Sequence, residues 1–235
     1  MLAPWPLTDP PLQRELDLVV FLIAAGAPVM APSREVPARV HHADGHVMSF
    51  WACLKQADVG PADEATIGSM LRDLHGVLRT YPTALPVLPP LTDIPAFLAR
   101  PRTRLSANDA AALAEAFRRL TKELATAAAG DPAQPLHGDA GVLNLMATDG
   151  GWVWHDFEDT GSGPVAWDLA ATTASPRLDR ARILAAYGEP ADPVQLRVCE
   201  QLRRLTLTVW YNLYAERLPE CGPRAAELLA GWRTP

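Results

Sequence analysis

Three oxygen-bearing side chains lie close together in the sequence: Asp139, Asn144 and Asp156. Between Asn144 and Asp156, two apolar runs flank Asp149-Gly150-Gly151, which is a strong signal for a β-hairpin. With the turn centred on Gly150, Asn144 and Asp156 are predicted to face each other, with Cα atoms about 4.5–5.5 Å apart. Proteins hold Mg²⁺ through one or two carboxylates together with substrate phosphates. The segment therefore predicts the outline of a phosphoryl-transfer site.

Each of these residues also has an ordinary structural interpretation. Asp139 fits a turn or a helix N-cap, Asn144 fits the cap of a turn, and Asp156 fits the end of a strand. His137 is expected to hold the loop through a hydrogen bond rather than to act as an acid or base. The convergence of three oxygen ligands through one hairpin favours the chemical interpretation over the structural one.

The residues around this segment occur as a series of blocks. The first is His137-Gly138-Asp139, which is followed by four residues and then Asn144, and the hairpin leads into Asp156-Phe157-Glu158-Asp159. Gly163-Pro164 and Trp167-Asp168-Leu169-Ala170 follow in order. Together these blocks resemble the aminoglycoside phosphotransferase and choline kinase-like family, a small-molecule branch of the protein-kinase fold.

The resemblance implies roles for individual residues. Asp139 matches the catalytic base, Asn144 and Asp156 match the metal ligands, and Asp168 matches a carboxylate that braces the catalytic loop. The implied cofactors are Mg²⁺ and ATP or GTP.

The resemblance also implies a nucleotide pocket. Phe50–Lys55 matches the hinge whose backbone meets the adenine, and it includes Trp51 and Cys53. Met146 matches the floor of the adenine pocket. His155 stands where the family has an aliphatic residue, and it is predicted to touch the phosphate or metal region.

The expected fold class is α+β and mainly helical, with a protein-kinase-like large lobe and a truncated small β lobe. Residues 1–55 are predicted to be the remnant of the nucleotide-binding lobe, and residues 56–235 the helical catalytic lobe. A Pro-rich lead-in is expected over residues 1–10, and strands over Val36–His42 and His46–Leu54. Helices are predicted from Pro11 to Gly26, over Asp63–Thr80, near Pro95–Ala99, from Ser106 to Gly130, over Trp167–Thr173 running into Arg177–Tyr187, over Pro193–Leu218 and over Pro223–Trp232.

Apolar spacing predicts which helix faces are buried. On the first helix the predicted face consists of Leu12, Leu16, Val19, Val20 and Ile23. On the long C-terminal helix it consists of Leu196, Cys199, Leu202, Val209 and Leu213. Trp210, Tyr211 and Tyr214 fit the core better than a stacking platform, and His75 is predicted to be packed rather than to bind a ligand.

The small lobe departs from the family pattern. About ten Pro-rich residues precede the first helix, so the first three strands, the phosphate-covering loop and the strand-borne lysine are missing. The chain has two lysines, Lys55 and Lys122, and neither is placed to serve as that lysine. Glu15 matches the glutamate that would pair with it, and it equally fits a solvated helix residue. Either the start was assigned too late or the protein is a shortened relative.

Composition narrows the class of protein. The net charge of −6 argues against general nucleic-acid binding. No apolar run approaches the 18 or more residues that a membrane span requires. The three cysteines show no metal-type spacing, which favours a reduced, cytoplasmic protein.

The predicted function is ATP-dependent transfer of a phosphoryl group to a hydroxyl of a small molecule, aminoglycoside-like or another amino alcohol. An acidic pocket for a cationic acceptor is one interpretation of four carboxylates, and ordinary surface charge is the other: Glu158, Asp159, Glu216 and Glu220. Two alternatives stay open. One is a catalytically impaired pseudokinase-like binding protein, and the other is a phosphohydrolase that uses the same aspartate and metal site.

Overall fold

The computed structural model describes residues 9–58, 60, 62–100, 104–188 and 191–233. Over these residues the chain forms eight α-helices and three two-stranded antiparallel sheets, which pair β1 with β2, β3 with β6, and β4 with β5. The helices are α1 (Asp9–Ala24), α2 (Glu64–Leu78), α3 (Pro89–Leu98), α4 (Ala107–Ala127), α5 (Ala166–Thr172), α6 (Arg180–Tyr187), α7 (Pro193–Arg217) and α8 (Gly222–Ala230). The strands are β1 (His41–Ala43), β2 (His46–Met48), β3 (Gln134–Leu136), β4 (Leu145–Thr148), β5 (Gly151–Trp154) and β6 (Gly161–Gly163).

Polar side chains fix the starts of several helices. The Asp63 carboxylate accepts from Thr66 N at 2.7 Å and caps α2. Ser106 Oγ accepts from Asp109 N at 3.1 Å and caps α4, and Asp192 caps α7 before a proline in the first turn. These side chains satisfy N–H groups that have no partner inside the helix. The caps predicted at Ser106 and Asp192 are confirmed.

Helix α1 begins two residues earlier than predicted, at Asp9, and residues 1–8 of the predicted lead-in lie outside the described residues. Leu12, Leu16 and Val19 are buried as predicted. The prediction was wrong for Val20 and Ile23, which are 48% and 40% exposed, because Leu18 and Leu22 face inward instead. The run from 18 to 23 is entirely apolar, so no polar residue marks the edge of the buried face.

The strands of the first hairpin are much shorter than predicted. The pairing of β1 with β2 is limited to residues 41–43 and 46–48. The predicted extensions fail because residues 50–52 bond to a different segment: Ser33 N donates to Phe50 O and Ala52 N donates to Ala31 O, both at 2.9 Å. The chain after α1 thus takes the place of the expected partner.

Two helix predictions were wrong in extent. The helix near Pro95–Ala99 is α3, which starts at Pro89 and contains Pro95. The predicted passage of one helix from Trp167 to Tyr187 is broken, since α5 ends at Thr172 and α6 starts after Asp179, whose carboxylate accepts from Ala181 N at 2.9 Å. This N-cap starts a new helix at Arg180.

Helix α7 is the centre of the large lobe. It packs against α4, α5 and α8, while α2 packs against α6. All five residues predicted to face inward from α7 are buried, whereas Trp210, Tyr211 and Tyr214 are only half-buried. This mainly helical arrangement, with a few short strand pairs, is the predicted α+β kinase-like fold. None of the helices in the described part of the chain is both long and apolar enough to cross a bilayer.

Candidate active site

A fully buried carboxylate holds the segment that carries Asp139. On α5, Asp168 accepts from His137 N at 2.9 Å and from Gly138 N at 3.0 Å. The His75 ring lies 2.9 Å from the same carboxylate and 3.0 Å from the Tyr187 hydroxyl. Burial alone would raise the pKa of Asp168, but the bonds and charges from His75 and His137 bring it below its ordinary value. His75 is packed as predicted, and sequence reasoning did not connect it with the site.

The backbone at Gly138 needs a glycine. Its φ is +90°, and a Cβ there would lie 2.0 Å from the carbonyl oxygen of Asp159. Its own carbonyl accepts from Trp167 Nε1 at 2.6 Å. The turn into Asp139 is therefore fixed from both sides.

The ring of His137 is buried beneath the loop. Its Nε2 lies 3.1 Å from the carbonyl oxygen of His155, and its Nδ1 accepts from Asp139 N at 3.3 Å. It also stacks on Phe157, with ring centroids 4.2 Å apart. Burial lowers the pKa of His137, which fits a neutral ring with its proton on Nε2. These contacts hold the loop against the end of β5. This is the structural role that the sequence predicts for His137.

The carboxylate of Asp139 is about one-third exposed and has two partners. Asn144 Nδ2 donates to Asp139 Oδ2 at 3.2 Å and to its carbonyl oxygen at 2.8 Å. Arg203 of α7 forms an ion pair with Oδ1. Sequence reasoning missed Arg203, although a signal existed: it follows Cys199 by one helical turn, on a face that is otherwise buried.

The hairpin that carries the proposed metal ligands forms as predicted, but its register was predicted wrongly. Leu145 pairs with Trp154 and Thr148 with Gly151, so the turn contains only Asp149 and Gly150. His155 N donates to Asn144 O at 3.0 Å, which places His155, not Asp156, opposite Asn144.

Asp156 continues from the hairpin with a φ of +66°, which is uncommon for a residue other than glycine. The chain therefore turns sharply at this residue, directly after the pair formed by Asn144 and His155. Outliers of this kind concentrate at functional sites.

The carboxylates around Asp156 create a negative potential. Burial and the charges of Asp156 and Glu158 raise the pKa of Glu15 to about 8, and burial and Asp156 raise that of Glu158 to about 7. The pKa of Asp159 is also raised, by burial and by the charge of Asp139. Arg14 and Arg203 compensate part of this charge, and a divalent cation would compensate more of it.

The donor set is of the kind that holds Mg²⁺ together with substrate phosphates. Within the described residues, no group of three or more His, Cys, Asp and Glu side chains is arranged to hold a metal ion. Asn144 and Asp156 offer one amide and one carboxylate oxygen, as in sites where phosphates complete the Mg²⁺ shell.

Glu15 is buried, with 6% exposure, so its interpretation as a solvated residue was wrong. Its Oε1 accepts from Phe157 N at 3.0 Å and joins α1 to the residue after Asp156. Lys55 and Lys122 are both exposed.

The segment predicted as the hinge runs close to the hairpin. Trp51 is half-buried and pairs with Pro32, and Cys53 is exposed. Just beyond, Ala57 N donates to the carbonyl oxygen of Ala147 on β4 at 3.0 Å. Met146 and His155 are half-buried, and Met146 lies on the face of β4 opposite to the buried Leu145 and Ala147.

The four carboxylates considered for an acidic acceptor pocket separate into two pairs. Glu158 and Asp159 are half-buried beside Asp156. Glu216 and Glu220 are exposed. Of these four carboxylates, Glu158 and Asp159 are therefore the two that belong to the acidic surroundings of the site.

The short strand pairs, the helical large lobe and the braced loop with its hairpin define the class of kinase-like phosphotransferases. The chain belongs to the phosphotransferase enzyme family, whose sequence profile matches residues 1–204. Family and fold together support a small-molecule phosphotransferase.

Solved structures share the fold at low sequence identity. An amicoumacin kinase in complex with AMP-PNP, Ca²⁺ and Ami is 12% identical, with a TM-score of 0.68 over 93% of this chain and 75% of its own. A microcompartment-associated aminopropanol kinase is 20% identical, with a TM-score of 0.67 over 96% and 80%. An aminoglycoside phosphotransferase from Streptomyces rimosus, in complex with ADP and streptomycin, is 18% identical, with a TM-score of 0.61 over 83% and 82%. No curated protein sequence matches the chain.

The raised pKa of Glu15 leads to a prediction about stability. Glu15 keeps its proton in the folded protein up to a pH of about 8, but its ordinary pKa is 4.5. The folded state then binds more protons, so raising the pH from about 5 to 8 should lower the free energy of unfolding. Glu15→Gln keeps an acceptor for Phe157 N without a charge, so its stability should fall less over this range.

Urea unfolding at several pH values, without metal or nucleotide, measures this difference. Asp17→Asn is the matched control, since Asp17 is exposed on the same helix, and it should follow the wild-type pH dependence. Equal pH dependence in Glu15→Gln and wild type would contradict the prediction.

Proposed function

We propose that the chain is a kinase that transfers the γ-phosphoryl group of ATP, or of GTP, to a hydroxyl of a small amine-bearing molecule. The observation that carries this proposal is the braced loop. Asp168 and His137 hold Asp139 beside Asn144, and Asp156 follows directly after the hairpin. In phosphoryl transfer the protein mainly positions the reactants and neutralises charge, which this rigid arrangement suits.

Each residue has a distinct task in the proposed reaction. Asp139 orients the acceptor hydroxyl and accepts its proton. Asn144 and Asp156 hold Mg²⁺, which would neutralise charge on the phosphates. Asp168 and His137 keep the loop in place. Residues 1–55 contribute the nucleotide-facing part, with Trp51 and Cys53 on the hinge, and residues 56–235 form the large lobe. Met146 forms the floor of the adenine pocket, and His155 touches the phosphate or metal region.

The proposed acceptor is a cationic amino alcohol. Half-buried Glu158 and Asp159 lie beside the site, and an ammonium group would compensate their charge. An aminopropanol kinase and a streptomycin-bound phosphotransferase are among the structural neighbours. We place the reaction in the cytoplasm, where ATP is supplied. The free thiols of Cys53, Cys199 and Cys221 fit a reducing compartment.

The first test is calorimetric titration of ATP into the chain with and without Mg²⁺. Wild type should bind ATP in a Mg²⁺-dependent way. Asp156→Asn should bind Mg²⁺·ATP at least about tenfold more weakly, since even loss of an outer-shell partner weakens metal sites by that factor. Asp149→Asn is the matched control, because Asp149 is exposed in the turn of the same hairpin, and it should bind as wild type. If wild type and control bind no ATP, the pseudokinase-like alternative is favoured.

The second test addresses the acceptor. ADP release is measured with 1-amino-2-propanol, choline and streptomycin, and with 3,3-dimethyl-1-butanol, the neutral counterpart of choline. The proposal predicts a higher kcat/KM for choline than for the neutral alcohol. Equal values would contradict the cationic acceptor while leaving phosphoryl transfer intact. Release of inorganic phosphate from a phosphorylated amino alcohol without ADP would favour the phosphohydrolase.

A further inference from the structure

Arg203 joins helix α7 to the loop of the proposed base through three contacts. Its guanidinium forms an ion pair with Asp139 Oδ1, and its Nη1 donates to the carbonyl oxygen of Gly138 at 3.3 Å. Its guanidinium carbon, Cζ, lies 5.5 Å from the centre of a Trp167 ring. The side chain is 19% exposed, so it is held in a largely desolvated place directly beside the proposed base.

The two oxygens of the Asp139 carboxylate are therefore in different situations. Oδ1 accepts a charge-assisted bond from Arg203, while Oδ2 accepts a bond of 3.2 Å from the neutral amide of Asn144. Charge-assisted bonds are the stronger ones, and they withdraw electron density from the oxygen that accepts them. Oδ2 is the oxygen with more capacity to accept another proton.

We propose that Arg203 is a positioning residue for phosphoryl transfer: it fixes Oδ1 of Asp139 and leaves Oδ2 to receive the proton of the acceptor hydroxyl. This inference rests on the proposed function. In the step, the acceptor oxygen forms a bond to the γ-phosphorus as the bond from that phosphorus to the bridging oxygen of ADP breaks. The hydroxyl proton passes to Oδ2 and then to solvent, which reaches the partly exposed carboxylate.

An arginine suits this task better than a lysine. Its planar fork donates to Asp139 and to the Gly138 carbonyl at once, and its flat face packs on the Trp167 ring. A lysine is a point charge on a flexible chain and cannot make the three contacts together. The carboxylate should therefore lose its orientation in Arg203→Lys even though the positive charge remains.

The chain offers a matched control in the next residue. Arg204 is also on α7, and its guanidinium lies 5.7 Å from the centre of a Trp232 ring. It is exposed, and its ring partner is in the C-terminal segment rather than beside the loop. Arg204→Met removes an equivalent charge and ring contact without touching the site.

The experiment measures Mg²⁺-dependent ATP hydrolysis, with water as acceptor, together with transfer to choline. Arg203→Met and Arg203→Ala are expected to lower kcat roughly 10- to 100-fold, the scale associated with misplacing a reacting group by about 1 Å. KM for ATP should change little, since Arg203 contacts the base rather than the proposed metal ligands. Arg203→Lys should fall between wild type and Arg203→Met, and Arg204→Met should match wild type.

Added guanidinium ion provides a measurement that a purely structural role would not affect. It should restore part of the kcat of Arg203→Ala, because it can occupy the vacated place between Asp139 and the Trp167 ring, and it should not restore Asp139→Asn. Wild-type kcat in Arg203→Met would overturn the inference. The inference would also be overturned if guanidinium did not restore kcat in Arg203→Ala and if the Tm were lowered in both Arg203→Ala and Arg203→Lys. Those results would indicate a purely structural role for Arg203.

The failure of the proposed function would look different. A wild-type chain that neither hydrolyses ATP nor phosphorylates choline or the other acceptors overturns both proposals. Wild-type turnover that is insensitive to Arg203 overturns only the role of Arg203.

Discussion

Replacing Asp139 with asparagine is expected to lower kcat for phosphoryl transfer about 10²- to 10⁴-fold, the contribution typical of a positioned general base. The amide has nearly the same size as the carboxylate and can still accept from Arg203. It cannot take up the acceptor proton, and it carries no charge to orient the hydroxyl. The loss should therefore appear in the chemical step.

Mg²⁺-dependent ATP binding separates this effect from a general loss of the site. Because Asn144 and Asp156 are unchanged, Asp139→Asn should bind Mg²⁺·ATP within a few-fold of wild type. Asp149→Asn, exposed in the hairpin turn, should keep wild-type kcat. Full activity in Asp139→Asn would show that another group accepts the proton, and Glu158 would be the next candidate because its pKa is raised to about 7.

The hairpin shows how far local patterns predict the candidate site. Asp-Gly between apolar runs correctly predicts a hairpin, but two consecutive glycines allow two turn positions. The chain uses the two-residue turn, and Gly151 takes a φ of +109° at the start of β5. The predicted turn is centred on Gly150, whereas the observed turn is centred between Asp149 and Gly150. Every residue of β4 therefore faces a partner one position earlier than predicted, so His155 replaces Asp156 opposite Asn144.

Helix boundaries were predicted where the sequence contains its own cap, as at Ser106 and Asp192. Strand lengths were not predicted correctly, because a strand extends only as far as its hydrogen-bonding partner. The residue pattern of one strand does not identify that partner. Residues 50–52 fit the strand pattern, yet they bond to residues 31 and 33 rather than extending β2. The tertiary partner decided the outcome.

The contacts that brace the site connect residues far apart in the sequence. His75 meets Asp168, Glu15 meets Phe157, and Arg203 meets Asp139. Periodicity identifies a buried helix face but not which polar residue on it meets which partner. The family resemblance supplied a role for Asp168, while the partners of His75 and Arg203 became visible only from the fold.

Replacing Asp168 is expected to give the largest loss of stability among these variants. The carboxylate is fully buried and serves two backbone N–H groups and the His75 ring. Asp168→Ala leaves these groups without an acceptor, and breaking a buried pair in this way costs about 3–5 kcal/mol. For a chain of this size the Tm should fall by roughly 10 °C, at about 2–4 °C per kcal/mol. Asp168→Asn should also be destabilised, because its NH₂ group would face a donor.

Asp179 is the matched control for this prediction. It is exposed, and its carboxylate likewise accepts from two backbone N–H groups, those of Ala181 and Arg182. Because water can replace it, Asp179→Ala should cost only about 1 kcal/mol, as for other helix caps. An equally small effect of Asp168→Ala would contradict the view that this carboxylate holds the catalytic loop.

The pH dependence of the Asp168 variants tests the electrostatic part of the argument. The pKa of Asp168 is lower in the folded protein than its ordinary value of 3.8, so its charge stabilises the fold above that pH and the contribution is lost as the pH falls below it. Asp168 is ionised at about pH 7 and pH 5 in either state, so its own titration should not change the stability difference between wild type and Asp168→Asn over this range. Because His75 contacts the carboxylate and histidines titrate in this window, the comparison is made in a His75→Gln background. A difference that shrinks between these two pH values in that background would mean that the buried carboxylate takes up a proton near neutrality, and that its bonds to His137 and Gly138 do not outweigh its burial.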